Sequence, residues 1–283
     1  MEKNTPELWD RIWREHGAGA LGRDALAREE RSLRWRRLER AIAGHFYAGG
    51  ASLPIGIQNK RATRESGVPG IVPGLRVIEI GAGVGTCSAL LARRGAQVTI
   101  LDYSAGALAR SREFYAGEGL KAEFIEQNAL DLPASLIGKF DLAMSFGLTE
   151  HFTGEVRKAI NKAHFDLVRP GGMAIISVPN ALNPPYRMYK WMTELTGKWM
   201  FGEEYPYTRM ELARLCRELG VQDYRFVGNS FLGSFHYVNP LRVSGKLRRV
   251  LGIGELKPPD CEIASPLDSW LADALVLIAV KPG

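Results

Sequence analysis

Residues 77–86 read Val-Ile-Glu-Ile-Gly-Ala-Gly-Val-Gly-Thr, and this stretch decides the fold. Its apolar first half is typical of a strand that is buried on both faces of a sheet. Its second half places Gly81, Gly83 and Gly85 where the chain turns into a helix. Glycine adopts backbone conformations that other residues avoid, and it lets a ligand approach the chain closely. The stretch therefore predicts a strand, a ligand-binding loop and the N-terminus of a helix.

The same pattern repeats along the chain. We predict strands at 76–80, 97–102, 122–128, 140–146, 173–179, 222–228 and 274–281, and helices at 86–94, 104–117, 156–168 and 208–220. Strands that alternate with helices of this length favour an α/β fold with a doubly wound, mostly parallel sheet.

Two helices, at 5–16 and 23–47, are predicted ahead of this pattern, and a Gly- and Pro-rich linker follows at 48–70. We therefore expect an N-terminal helical cap over 1–70 and a single domain over 71–283. Two irregular stretches interrupt that domain, at 180–207 and 232–270. The first is long for a connection between a strand and a helix, which indicates a functional insert.

The composition excludes several classes of protein. The chain has 283 residues, is 46% hydrophobic and contains three cysteines, so it is neither a disordered chain nor a disulfide scaffold. The cysteines, Cys87, Cys216 and Cys261, form no metal-binding pattern, and the polar N-terminus is no secretory signal. The longest apolar run, 274–280, is too short to cross a bilayer. We expect a cytoplasmic protein.

The net charge of +6 is concentrated near the N-terminus, since residues 1–70 hold 13 Lys and Arg against 9 Asp and Glu. Most of this excess lies in Arg28–Arg40. The segment is either a solvated helix face with Glu–Arg pairs or a patch for an anionic substrate, a lipid surface or RNA. The charge alone does not decide between them.

Asp102 strengthens the interpretation of the glycine loop. It ends the second predicted strand, 21 residues after Gly81, where a carboxylate can accept hydrogen bonds from ribose hydroxyls. The alternative is a helix N-cap, a role for which Ser104 competes. Thr86 stands where a nicotinamide-binding loop has its third glycine or an alanine, and the Gly-Lys-Ser/Thr of a phosphate loop is absent.

With these features the sequence resembles the class I S-adenosylmethionine-dependent methyltransferases, most closely over residues 74–180. The resemblance rests on five motifs in the family's order. They are Glu79–Gly85 with Asp102, Gln127–Pro133, Phe140-Asp141 with Leu148–Phe152, Leu167–Gly172, and Val178–Asn180.

The resemblance implies a Rossmann-like sheet of seven strands, S-adenosylmethionine as cofactor and S-adenosylhomocysteine as product. It implies that the backbone of Gly81, Ala82, Gly83 and Gly85 lies along the methionine part of the cofactor, with Glu79 near its amino group. Asp102 would hold the ribose and Tyr103 would pack on the adenine. Asn128 would accept from the adenine amino group, Ala129 would offer its N–H to the ring, and Phe146 would border the methionyl end.

His151 is the candidate catalytic residue. It follows the fourth predicted strand, at the edge of the sheet where ligands bind, and could take a proton from an acceptor hydroxyl. The alternative is a structural histidine. Some quinone-pathway O-methyltransferases of this superfamily carry E-x-x-E-H here and bind a divalent metal. Gly147 stands in place of the first Glu, so we predict no metal.

The 180–207 insert is rich in aromatic residues and methionine. We expect the insert and the N-terminal helices together to shape a pocket for a small or lipid-like acceptor that is methylated at oxygen. A packed subdomain core is one alternative. A membrane-facing patch is another, because Arg187, Lys190 and Lys198 are interleaved with aromatic residues.

Two other functions stay open from the sequence. The basic charge would suit an RNA methyltransferase, but the sequence argues against a nucleic-acid partner because no RNA-binding module is found. Asn183-Pro184-Pro185-Tyr186 matches a base-methylating motif only after the fifth strand, whereas that motif follows the fourth. The second alternative is a non-catalytic scaffold. The sequence leaves the oligomeric state open.

Overall fold

The structure is a computed structural model that describes residues 5–20, 24–47, 74–239, 245–252 and 263–283. Several expectations lie outside these ranges. They are the linker 48–70 with the domain boundary at residue 70, Cys261, and the parts of the insert 232–270 at 240–244 and 253–262.

Among the described residues, seven strands form one sheet. They are β1 Arg76–Ile80, β2 Gln97–Asp102, β3 Glu123–Glu126, β4 Phe140–Phe146, β5 Val168–Pro179, β6 Tyr224–Gly228 and β7 Ala274–Val280. Their order is β3-β2-β1-β4-β5-β7-β6. The first five strands pair in parallel, and β7 is antiparallel to both β5 and β6. This confirms the doubly wound, mostly parallel sheet.

Helices cover both faces of the sheet. They are α1 Pro6–Ala20, α2 Ala25–Arg31, α3 Leu33–Tyr47, α4 Thr86–Arg93, α5 Ala105–Gly117, α6 Gly154–Leu167, α7 Pro184–Leu195, α8 Arg209–Glu218, α9 Gly245–Val250 and α10 Asp268–Leu271. Three 3₁₀ turns lie at Ala134–Leu136, Thr149–His151 and Gly233–Val238. In the part of the chain that the structure describes, no helix combines the length and the apolar character that crossing a membrane requires.

The core follows from the period of the strands. Successive side chains of a strand point to opposite faces, so Val77 packs in one hydrophobic cluster while Ile78 packs in another. The cluster around Val77 also includes Trp35 and Leu38 of α3. The N-terminal helices therefore share a core with the sheet.

Three of the differences from the predicted elements have a local cause. The helix predicted over 23–47 is broken at Ser32, whose hydroxyl accepts from the Trp35 N–H and begins α3. The strand β3 stops at Glu126, because Asn128 folds into a turn in which its side-chain oxygen accepts from the Leu130 N–H. The strand β5 begins at Val168, five residues early, and a register shift against β4 accommodates the extra residues.

The insert 180–207 contains α7, which the sequence pattern did not predict. Asn183 is its N-cap, accepting from the Tyr186 N–H, and a proline occupies its first turn. The Asn-Pro-Pro-Tyr sequence thus starts a helix.

An ion pair fastens α3 to the C-terminal part of the sheet. The Arg37 guanidinium lies 2.7 Å from a carboxylate oxygen of Asp268 and also donates to the carbonyl of Gly228. Asp268 is buried, and it accepts from the N–H groups of Phe231 and Ser265 as well. Removing the cation would leave a buried carboxylate with only its neutral donors.

We expect Arg37→Ala to lower the free energy of unfolding by about 3 kcal/mol, because the buried Asp268 loses its charged partner. Urea denaturation measures this change. Arg36 is exposed on the same helix, so Arg36→Ala should change stability by less than about 0.5 kcal/mol. Equal losses in the two variants would contradict the role given to the Arg37–Asp268 pair.

Candidate active site

The glycine loop lies at the carboxyl end of β1 and requires glycine for its conformation. Gly81, Gly83 and Gly85 have φ angles of +58°, +55° and +73°, which other residues rarely adopt. Gly85 is also the N-cap of α4. The backbone amides at the start of α4 therefore point toward the end of the sheet where ligands bind.

Asp102 holds this loop against β2. Its buried carboxylate lies 3.1 Å from the Gly83 nitrogen and 3.0 Å from the Ser104 nitrogen. Burial raises the pKa of Asp102, and these two N–H donors oppose the shift. The cap of α5 is Ser104, whose hydroxyl accepts from the Ala107 N–H. The N-cap alternative for Asp102 is therefore wrong, and its carboxylate instead orders the loop.

Glu79 faces away from the cavity, toward α4. Its carboxylate accepts from both the N–H and the hydroxyl of Ser88. Burial raises the pKa of Glu79 to about 7. Its predicted place beside a cofactor's amino group is not tested by these contacts and stays a prediction.

A cavity of about 130 Å³ lies between the glycine loop and the residues after β4. Its lining residues are Trp9, Trp13, Gly81, Ala82, Gly83, Asp102, Tyr103, Phe146, Gly147, Leu148 and His151. The cavity brings together seven of the predicted cofactor and catalytic residues. The predicted residues Glu79, Gly85, Asn128 and Ala129 are not among those that line it, and Asn128 is exposed.

Helix α1, which belongs to the predicted N-terminal helical cap, lies over the cavity and contributes Trp9 and Trp13 to its lining. A Cβ atom on Gly83 would come within 2.2 Å of the Trp13 ring. The Trp9 ring packs edge-on against His151, with 4.9 Å between the ring centroids. Asp10 of α1 accepts from the Ser104 hydroxyl and from the Gly106 N–H. The four-residue spacing of the two tryptophans was a signal for a shared helix face, but it did not show what that face contacts.

His151 lies in the 3₁₀ turn after β4, and its ring is buried. Its Nδ1 lies 2.8 Å from the carbonyl oxygen of Glu203. Because a carbonyl accepts, Nδ1 carries the hydrogen, and Nε2 of the neutral ring is the basic nitrogen. Burial lowers the pKa of His151 to about 4, and Lys190 adds to the shift. The imidazole is therefore neutral at physiological pH.

Glu150 lies beside His151 and is also buried. Burial and the neighbouring Glu204 raise the pKa of Glu150 well above its usual range. Within the described residues its Oε2 atom has no hydrogen-bond partner. Glu204 in turn accepts from the Tyr186 hydroxyl of α7. The insert 180–207 thus supports the residues on this side of the cavity.

No group of three or more His, Cys, Asp or Glu side chains that could hold a metal ion is found in the described ranges.

Comparison with known proteins places these features in a family. Residues 77–172 match a family model described as a methyltransferase domain. A ubiquinone biosynthesis O-methyltransferase of Aromatoleum aromaticum is 30% identical over 162 residues, which are 56% of this chain and 68% of that protein. A demethylmenaquinone methyltransferase of Clavibacter sepedonicus is 36% identical over 105 residues, which are 37% of this chain and 41% of that protein. This second match spans less than half of the relative.

Two solved structures share the fold over most of the chain. A methyltransferase from Thermotoga maritima aligns with a TM-score of 0.58 at 15% identity, covering 98% of this chain and all of that one. Magnesium protoporphyrin IX methyltransferase from Synechocystis, solved with bound S-adenosylhomocysteine, aligns with a TM-score of 0.55 at 14% identity, covering 98% and 99%. At these identities the likeness concerns the fold alone.

The residues that line the cavity offer an acceptor for the hydroxyl groups of a nucleoside and a stretch of bare backbone beside it. Neither Gly81 nor Gly83 could carry a side chain. A Cβ atom at Gly81 would clash with Leu148, and one at Gly83 would clash with Trp13. A buried carboxylate, Asp102, adjoins the loop as an acceptor for hydroxyl groups. The Aromatoleum enzyme is 30% identical to this chain over 68% of its own length. This relationship and the arrangement of the cavity together show that the chain belongs to the class I S-adenosylmethionine-dependent methyltransferases.

Proposed function

We propose that the enzyme transfers the methyl group of S-adenosylmethionine to a hydroxyl oxygen of a small, lipid-like acceptor with a phenolic ring. The observation that carries this proposal is a single cavity that joins the glycine loop and Asp102 to the neutral imidazole of His151. The names of the Aromatoleum and Clavibacter relatives, which concern quinone methylation, support an acceptor of this class.

We expect the lining residues to make the contacts that the family resemblance implies. The backbone of Gly81, Ala82 and Gly83 would hold the methionine part, and Asp102 would accept from the ribose hydroxyls. Tyr103 would pack on the adenine, and Phe146 would border the sulfonium end, where an aromatic face stabilises a positive charge. Glu79 and Gly85 would act from behind the loop, since they order α4.

Asn128 and Ala129 would need to approach the adenine from outside the lining of the cavity. The side-chain oxygen of Asn128 already accepts from the Leu130 N–H. Its second lone pair would be the acceptor for the adenine amino group.

The protein's part in the reaction is alignment, exclusion of water and handling of one proton. The bound cofactor supplies a methyl group that its sulfonium already activates. Trp9 and Trp13 cover the cavity and would keep water from the reacting groups. The Nε2 atom of His151 would accept a hydrogen bond from the hydroxyl group of the methyl acceptor. This hydrogen bond orients the hydroxyl oxygen, and Nε2 receives the hydroxyl proton as the methyl group is transferred.

Glu150 is the less suitable proton acceptor. It is not among the residues that line the cavity, whereas His151 is. The hydrogen bond from His151 Nδ1 to the Glu203 carbonyl fixes the ring in the tautomer that the proposal requires. His151 therefore stays the proposed catalytic residue.

Two arginines of the basic segment Arg28–Arg40 serve the fold and are not free to bind a nucleic acid. Arg34 is paired with Glu29 at 2.8 Å, and Arg37 is paired with Asp268. These arginines hold the N-terminal helices in place.

The free thiols of Cys87 and Cys216 are buried, and they support a reducing compartment, the cytoplasm, as the place of action.

Transfer of tritium from methyl-labelled S-adenosylmethionine tests the acceptor class. We expect label in a prenylated catechol and none in its dimethyl ether, because the ether has no hydroxyl oxygen to methylate. Total RNA serves as a further acceptor in the same assay. Label in RNA, or the absence of label in the prenylated catechol, would contradict the proposed function.

His151→Ala should lower kcat on the prenylated catechol by about 10²–10⁴-fold, the usual contribution of a general base. Since the pKa of His151 is lowered to about 4, the neutral ring prevails above that pH. In the wild type, the part of kcat that depends on His151 should therefore be lost only as the pH falls toward 4. The pH profile of His151→Ala should not show this decrease at low pH.

His45→Ala is the matched control, because His45 hydrogen-bonds the Gly171 carbonyl and does not line the cavity. S-adenosylhomocysteine affinity, measured by calorimetry, should stay within several-fold in both variants. A His151→Ala enzyme with near-normal turnover at every pH would show that alignment alone suffices.

A further inference from the structure

One face of α7 is apolar and exposed, although the helix is packed on its other face. Tyr186 and Lys190 lie on the buried face. Met188, Trp191, Met192 and Leu195 follow the spacing of a single helix face and are 47%, 61%, 37% and 68% exposed. An isolated exposed apolar residue needs no explanation, but a continuous stripe of four indicates an interaction surface.

The chain after α7 extends this stripe. Met200 and Phe201 are also exposed, which gives six large apolar side chains within fourteen residues. We call the exposed side of 184–201 the α7 surface. Tryptophan and methionine dominate it, and such side chains insert well among lipid headgroups and acyl chains.

The charges of the α7 surface have one sign. Its exposed charged residues are Arg187 and Lys198. The acidic residue of the segment, Glu194, is partly buried and lies 2.7 Å from Lys190 Nζ, in an ion pair. Lys190 itself is buried and packs over the Trp199 ring, so it does not contribute to the membrane-facing patch that the sequence offered as an alternative. An apolar stripe with only cations beside it complements an anionic, amphipathic partner.

The chain that follows the α7 surface leads to His151, which lines the cavity. Tyr186 of α7 donates its hydroxyl hydrogen bond to Glu204, and the carbonyl of the preceding Glu203 holds His151. A single stretch of chain therefore connects the α7 surface to the proposed proton acceptor.

We propose that the α7 surface lies on the headgroup region of a bilayer that contains anionic lipids. This deepens the proposed function, on which it rests for the idea that the acceptor itself is lipid-like. A bilayer at α7 brings such an acceptor close to the stretch of chain whose Glu203 carbonyl holds His151. The apolar stripe supplies the attraction to any bilayer, and Arg187 and Lys198 supply the preference for anionic headgroups.

Cosedimentation of the full chain with vesicles tests this proposal. The vesicles are made of phosphatidylcholine with or without phosphatidylglycerol, and neither kind contains an acceptor. We expect binding to the anionic vesicles that weakens with salt. The double variant Trp191→Ser/Leu195→Ser should bind at least about tenfold more weakly, because two large apolar side chains are lost from the contact.

Two further variants make the test specific. Ile137→Ser/Val156→Ser replaces two exposed apolar residues outside the α7 surface and should bind like the wild type. Arg187→Gln/Lys198→Gln should lose the preference for phosphatidylglycerol. Because all these positions are exposed, the thermal midpoints should stay close to that of the wild type.

Three outcomes would overturn the proposal. The wild type does not bind either kind of vesicle, or Trp191→Ser/Leu195→Ser binds as the wild type does, or the wild type self-associates in sedimentation velocity and that variant does not. The last outcome would assign the surface to a second copy of the chain. Methyl transfer to catechol, which has no tail, should be unchanged in Trp191→Ser/Leu195→Ser, so failure of the membrane contact is distinguishable from failure of the proposed function.

Discussion

The hydrogen bond between the Asp102 carboxylate and the Gly83 N–H is the contact on which the site depends. It joins the end of β2 to a loop whose three glycines all have positive φ angles. Parallel pairing of β1 with β2 places the two partners side by side, since Ile80 is in register with Leu101. Any other residue at these glycines would strain the backbone and collide with Leu148, Trp13 or Ile100. The fold thus fixes the position of Asp102 beside the glycine loop, where we propose that the ribose and the methionine part of the cofactor meet.

Around this contact the chain brings together parts from distant regions. Helix α1 lies over the loop and is held there by Asp10, which accepts from Ser104 and Gly106. The segment after α7 fixes the tautomer of His151 through the Glu203 carbonyl. The cavity of about 130 Å³ that these elements enclose is small beside ordinary ligand pockets of roughly 300–1,000 Å³. Movement of α1 is the simplest way to admit a nucleoside-sized ligand, because Trp13 rests directly on Gly83.

The sequence predicted the features that local pattern controls. Buried strands, the glycine loop and the position of Asp102 at a strand end follow from short stretches of chain, and so does the place of His151 after β4. Features that depend on distant contacts were not predictable. Nothing local shows that Trp13 covers Gly83, that Lys190 is buried in an ion pair, or that the Asn128 side chain accepts from the Leu130 N–H. The helix break at Ser32 was missed because a serine inside a helical pattern can also be tolerated.

Calorimetric titration of S-adenosylhomocysteine into the wild type, Asp102→Asn and Glu126→Gln tests the cofactor site most directly. Glu126 is in register with Asp102 on the neighbouring strand but is exposed, so it is a matched control. The site described above predicts that Asp102→Asn weakens binding by about 1–3 kcal/mol, the effect of losing a buried hydrogen-bond partner. Glu126→Gln should bind as the wild type does, and NAD should not bind to any of the three. Equal affinity of the wild type and a folded Asp102→Asn variant would contradict the site.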